Sequence, residues 1–251
     1  MRRLAPFRVL TAVALVLAVA SLAADRGRAG GGGDNRSEGF ELLFNGKDLH
    51  GWRGDTNFWS ALGSNLVGRT TTAHPLTENT FLIWTNGTVH DFELHLDYKI
   101  TANNPQGFAN SGIQYRSREL TNHPTPFVVA GYQADIAAGD HHTGILYEER
   151  GRGVLAERGQ MSRIGSTGTV HPVASLGSAA ELQSVINQND WNDYTIIARA
   201  NQLTHIINGR VMVHVTDTQE GARAFHGILA LQLHAGQPMT VAFRNIRLKA
   251  L

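Results

Sequence analysis

Three short segments place polar side chains two residues apart between apolar neighbours: Gln114 and Arg116, Gln133 and Asp135, and Gln232 and His234. If each segment is a β-strand, its period of two points both members of a pair to the same side. Should the three strands be neighbours, six hydrogen-bonding groups line one surface: three amides, a guanidinium, a carboxylate and an imidazole. That mixture suits the dense hydroxyls of a sugar, and Tyr115, Tyr132 and Tyr147 can supply flat surfaces for ring stacking. The competing reading is a solvated sheet face with Asp135 bridged to Arg116, although such faces are usually richer in Lys, Glu and Thr.

A second cluster runs from Asp140-His141-His142-Thr143-Gly144 through Tyr147-Glu148-Glu149-Arg150-Gly151-Arg152. Adjacent histidines on a strand point opposite ways, so only one can join a given metal site. Asp135, Asp140 and Glu148 lie close enough in sequence for an oxygen-rich divalent-metal site, and Asp135, His142 and Glu148 are the ligand set taken from this cluster. Glu148 and Arg152 are also candidates to contact substrate or to brace one another. Asp135 with Glu148 or Glu149 forms a carboxylate pair of the kind that hydrolyses glycosides. No phosphate loop, dinucleotide fingerprint, nucleophile elbow or HExxH occurs, so no nucleotide cofactor is expected.

The elements that must hold these residues are strands. Gly227–Gly236 reads as a buried strand with Ile228, Ala230 and Gln232 on one side and Leu229, Leu231 and Leu233 on the other. Phe92–Ile100 alternates apolar and polar, as a half-buried antiparallel strand does. Asn208-Gly209 between two apolar runs predicts a hairpin over 203–215, preceded by a strand over 194–200. Ser178-Ala-Ala-Glu181 has capping-box spacing and opens one short helix, with Leu182, Val185 and Ile186 on one face. The segment 156–177, rich in Gly, Ser and Thr, reads as a long irregular insertion. Many strands, Gly-rich turns and one short helix predict an all-β sandwich.

At 251 residues the chain can build one sizeable core. Residues 1–23 have the order of a secretory signal: Arg2 and Arg3, an apolar run from Val9 to Leu22, then small residues. Export by the Sec route, or by Tat through the twin arginines, predicts a periplasmic or secreted protein with no membrane span after cleavage. Residues 24–38 form a Gly-rich linker, leaving 39–251 as the domain. The first 38 residues carry six arginines and three acidic residues, so the remainder is slightly acidic, which excludes an electrostatic footing for nucleic acid. There is no cysteine, hence no disulfide.

Several motifs together resemble one family. They are Gly39-Phe-Glu-Leu-Leu-Phe-Asn-Gly-Lys-Asp-Leu-His-Gly-Trp52, Asn110-Ser-Gly-Ile-Gln-Tyr-Arg116, Gly131-Tyr-Gln-Ala-Asp-Ile136, Gly144-Ile-Leu-Tyr-Glu148 and Asp190-Trp-Asn-Asp-Tyr194, in order along the chain. The chain resembles the domain of unknown function 1080 family, later called 3-keto-disaccharide hydrolase and now 3-keto-glucoside 1,2-lyase/3-keto-2-hydroxyglucal hydratase. The resemblance implies a concanavalin-A-like jelly-roll β-sandwich acting on a small oxidised sugar. A base removes the C2 proton beside the C3 ketone, the C1 aglycone leaves, and water adds back. On that chemistry His234 or Asp135 is the base, Arg116 or a bound divalent cation holds the enolate, and Glu148 is the acid. Gln114, Gln133, Gln232, the three tyrosines and Arg152 would contact substrate. A separate sugar 3-dehydrogenase would supply the ketone. The alternatives are a non-catalytic carbohydrate-binding module and a conventional two-carboxylate glycosidase.

Overall fold

The computed structural model describes residues 39–251; the signal and linker expected over 1–38 lie outside them. Two antiparallel-dominated sheets stack face to face. The larger, ten-stranded sheet runs β12 (Val170–Ser175), β11 (Gln160–Ile164), β15 (Arg210–Asp217), β14 (Gln202–Ile207), β13 (Asn192–Arg199), β6 (Phe92–Ala102), β17 (Met239–Ala250), β4 (Asn65–Arg69) and β3 (Trp59–Leu62), with β1 (Glu41–Leu42) also on β17. The seven-stranded sheet runs β10 (Gly153–Ala156), β9 (Leu146–Glu149), β8 (Val129–Ala137), β7 (Asn110–Glu119), β16 (Ile228–Leu233), β5 (Thr80–Trp84) and β2 (Trp52–Arg53). This is the jelly-roll sandwich expected from the sequence.

The core between the sheets is built by alternation. Leu229, Leu231 and Leu233 of β16 point inward with Ile113 and Tyr115 of β7, against Leu94 and Leu96 of β6, Ile196 of β13 and Phe243 of β17. Burying such side chains stabilises the fold by about 1.5–3 kcal/mol each. Asn208 and Gly209 both take positive φ, +48° and +77°, which is the turn that joins β14 to β15. The one helix among the described residues, α1 (Ala179–Gln183), has the full capping box between Ser178 and Glu181.

One expectation is overturned. The segment 156–177 is not irregular: it folds into the hairpin β11–β12, and β11 runs parallel to β15 through the pairs Met161–His214 to Ile164–Asp217. Met161 and Ile164 supply its buried anchors. β12 forms the exposed edge, with Pro172 opposite Ser162 just past a register shift.

Candidate active site

In the smaller sheet β7 lies between β8 and β16, so the strands bearing the three polar pairs are neighbours. Their polar residues meet on the face turned away from the core. Register places Gln114 opposite Gln133 and Gly112 opposite Asp135, and Gln133 opposite Tyr147 of β9. A hydrogen-bond network crosses this face. Gln114 donates to Gln133 Oε1 at 2.6 Å, and Gln232 donates to the same oxygen at 2.9 Å and to Glu149 at 3.2 Å. Asn79, just before β5, donates to Glu149 at 3.3 Å and accepts the Ala235 N–H at 3.0 Å. Gly112 makes the close packing possible: a Cβ there would lie 2.5 Å from the Gln133 side chain. Gln232 Oε1 is buried without a partner, an acceptor suited to a hydroxyl donor.

Two carboxyl groups stand in this network. Asp135 is buried, and loss of solvent pushes its pKa up to about 7 against the opposing hydrogen bonds, with the Glu149 charge adding to the rise. Asn110 donates to its Oδ1 at 2.9 Å, Ile136 N–H at 3.0 Å and Gln133 at 3.5 Å. No protein donor among the described residues reaches Oδ2. Burial likewise raises the pKa of Glu149, opposed by Asn79, Arg150, His234 and Gln232. Tyr147 is half-buried beside both carboxyls; burial first, then those two charges, raises its pKa and keeps the phenol protonated.

His234 sits just past the end of β16, edge-on to the exposed ring of Phe108 with centroids 5.5 Å apart. Its Nδ1 lies 2.6 Å from the Ala235 carbonyl oxygen, which can only accept. The neutral ring therefore carries its proton on Nδ1 and presents Nε2 as an acceptor.

Other expected site residues lie elsewhere. Arg116 does not share the face with Gln114. β7 bulges between Tyr115 and Arg118, Arg116 takes φ +48°, and the side chain turns to the carbonyls of His90 (2.7 Å), Ala200 (2.6 Å) and Ala224 (3.3 Å) and to Asp91 (2.8 Å). The bridge to Asp135 that the competing reading supposed is thus absent. Tyr115 and Tyr132 are core residues, their hydroxyls meeting His205 at 3.0 Å and Asp217 at 2.5 Å, so neither offers a stacking surface. Glu148 points to the side opposite Glu149, where Arg152 grips both of its oxygens (2.7 and 2.8 Å) and also Asp217 (2.8 Å). The bracing reading of Glu148 and Arg152 is the one the geometry bears out. The set Asp135, His142 and Glu148 does not converge: His142 belongs to the β8–β9 turn, beside a cavity lined by Asp140, His141, Glu157 and Arg158. Among the described residues no three His, Asp or Glu side chains could together hold a metal ion.

Sequence reasoning passed over Asn79, Asn110 and Phe108, and weighed Glu149 only as an alternative to Glu148. Period two separates the last pair: Tyr147 and Glu149 share a side, and Glu148 cannot join them. Asn110 lies two before Gly112 and four before Gln114 on β7, a signal the same rule could have read. Asn79 and Phe108 lie outside strands and had none.

The fold is shared with solved structures. A provisionally assigned glycosyl hydrolase from Parabacteroides distasonis ATCC 8503 superposes with a TM-score of 0.54 at 22% identity, over 86% of this chain and 95% of that one. Carbohydrate binding module CBM66 from Bacillus subtilis gives 0.53 at 14% identity, over 84% and 100%. A Bacillus subtilis protein with a galectin-like fold gives 0.50 at 11% identity, over 80% and 90%. No curated protein matches the chain. The family is established by sequence: residues 39–249 match the profile of the 3-keto-alpha-glucoside-1,2-lyase-like domain, so this carbohydrate-active chain belongs to that family.

Proposed function

We propose that this protein eliminates the C1 substituent of 3-keto-glycosides and hydrates the resulting 2-hydroxy-3-keto-glucal. The observation that carries the reading is Asp135, a buried carboxyl whose pKa of about 7 suits proton transfer near neutrality and whose Oδ2 faces no protein donor. Ionised Asp135 takes the C2 proton, made acidic by the adjacent ketone. The C2–H electron pair becomes the C1=C2 bond as the C1–O bond breaks. Glu149, whose pKa burial raises, is the carboxyl that gives a proton to the departing oxygen. The Tyr147 phenol, held protonated, donates to the C3 oxygen as negative charge develops there. Arg116 and Glu148, the sequence candidates for the last two roles, are replaced by Tyr147 and Glu149.

Hydration reverses the polarity. His234 Nε2 accepts a proton from water, the hydroxyl adds at C1, and protonated Asp135 returns a proton to C2. The amides of Gln133, Gln232 and Asn110 fit sugar hydroxyls, and Phe108 offers an exposed ring. The substrate must come from an oxidation at C3, so the functional partner is a separate sugar 3-dehydrogenase. Export to the periplasm or medium remains part of this proposal; among the described residues no helix is long and apolar enough to cross a membrane.

The deciding assay compares 3-keto-trehalose with trehalose, each with and without EDTA. We expect turnover of the ketone alone. Cleavage of trehalose would favour two-carboxylate hydrolysis, and saturable binding without turnover would favour a binding module. Loss with EDTA and recovery with added divalent metal would assign the C3 oxygen to a cation instead of Tyr147.

A further inference from the structure

The acid and the imidazole of the proposed cycle are tied together by one side chain. β5 and β16 pair Thr80 with Leu233, and one residue beyond that pair on each chain stand Asn79 and His234. The Ala235 N–H, which can only donate, meets Asn79 Oδ1 at 3.0 Å, so the Asn79 amide nitrogen is the atom that faces Glu149 Oε1, at 3.3 Å. The Ala235 carbonyl in turn takes the His234 Nδ1 proton at 2.6 Å. A path of hydrogen bonds thus runs from Glu149 through Asn79 and Ala235 to the imidazole.

The segment carrying Asn79 is itself anchored. The Gly236 N–H donates to the Leu76 carbonyl at 3.0 Å, and Glu78 pairs with Arg150, the neighbour of Glu149, and lies 3.4 Å from His123. Residues 76–79 therefore clasp the end of β16 on one side and the end of β9 on the other. The second oxygen of Glu149 is held by Gln232 at 3.2 Å, which sets the plane of the carboxyl.

We infer that Asn79 is a positioning residue that sets Glu149 and His234 relative to one another, so that one side chain serves both halves of the reaction. The inference rests on the elimination and hydration proposed above. In the elimination Glu149 loses a proton to the departing oxygen. In the hydration His234 Nε2 gains one from water, while Asp135 takes and returns the C2 proton and ends unchanged. The enzyme is restored only when the proton gained by His234 replaces the one lost by Glu149, directly or through solvent. Asn79 holds the two groups in place across that exchange.

Two variants separate the two arms. Asn79→Asp keeps an oxygen for the Ala235 N–H but loses the donor to Glu149, whereas Asn79→Ala loses both. Elimination is followed on methyl 3-keto-α-glucoside and hydration on 2-hydroxy-3-keto-glucal supplied directly, with thermal unfolding as the check on folding. Misplacing a reacting group by about 1 Å costs up to about 10²-fold, so elimination should fall about tenfold or more in both variants. Hydration should fall in Asn79→Ala and stay close to wild type in Asn79→Asp.

The pH profile separates positioning from mere support. The ionisable groups around Glu149 are Asp135 on β8, Tyr147 and Arg150 beside it along the chain and His234 after β16, while Arg118 of β7 and His226 share a hollow with it. All of these persist in the variants. The Asn79 hydrogen bond lowers the Glu149 pKa, so its loss should move the alkaline limb of elimination to higher pH. The shift should be larger in Asn79→Asp, whose carboxylate adds a like charge. A loss without movement of that limb, or equal hydration in the two variants, would overturn the inference. A wild type that leaves the ketoside intact would remove the elimination reading and this inference with it.

Discussion

Asn110 on β7 donates its amide to Oδ1 of Asp135 on β8 at 2.9 Å, the same oxygen that takes the Ile136 N–H and the Gln133 amide. One oxygen of the carboxyl is thus used for position and the other for proton transfer. An asparagine at 135 could keep all three bonds on its own oxygen while losing the base. Asp135→Asn should therefore lower kcat on 3-keto-trehalose by about 10²–10⁴-fold with the fold intact. Activity within tenfold of wild type would remove Asp135 from the mechanism.

The same substitution should stabilise the protein at alkaline pH. The folded Asp135 pKa of about 7 lies above its unfolded value of about 3.9, so the folded state holds a proton that the unfolded state has released. That contribution is full below about pH 4 and is lost as pH rises through 7, a change on the order of 4 kcal/mol. Asp135→Asn avoids the loss, so its Tm should gain on wild type by roughly 5–15 °C between pH 5 and pH 8. Parallel Tm–pH curves would show that Asp135 is not held near neutral pKa.

Removing Asn110 acts on the same group from the other side. Its hydrogen bond lowers the Asp135 pKa, so Asn110→Ala should raise it. The ascending limb of the kcat profile should then move to higher pH, with most of the loss at pH 6 and little at pH 8.5. A uniform loss across pH would mark a structural role only.

Glu149→Gln should show leaving-group dependence. With a 3-keto-disaccharide the departing oxygen needs a proton and kcat should fall about 10²-fold or more. With a 3-keto-glycosyl fluoride it needs none, and the loss should be much smaller. Equal losses on both would place Glu149 outside the acid role.

Arg116→Met should unfold the protein rather than silence it. The buried guanidinium meets three carbonyls and Asp91, and leaving those acceptors unmet costs about 3 kcal/mol or more. Urea unfolding should show the loss, while activity per folded molecule on the methyl ketoside stays close to wild type.

The sandwich was legible because local signals agreed with tertiary outcome: alternation in β6, the apolar run of buried β16, Asn208-Gly209, and the Ser178–Glu181 cap. Half of the site was legible for the same reason, since Gln133, Asp135 and Gln114 obey period two and their strands turned out to be neighbours. Arg116 failed because one residue at φ +48° resets the alternation, and nothing in Gln114-Tyr115-Arg116-Ser117 announces a bulge. The 156–177 segment was misread because its pairing to β15 is non-local, and its Gly, Ser and Thr look like loop.

The sheet margins bear on how the protein survives without disulfides. Both outer strands of the smaller sheet are short, β2 with two residues and β10 with four, and the larger sheet ends on the four-residue β3 and on β12, interrupted by Pro172. An unpaired strand edge is a template for another chain, and shortness or a proline blunts it. Replacing Pro172 by a β-branched residue would leave the sugar chemistry untouched yet offer β12 as a continuous docking rail, making self-association at high concentration the trait that this proline restrains.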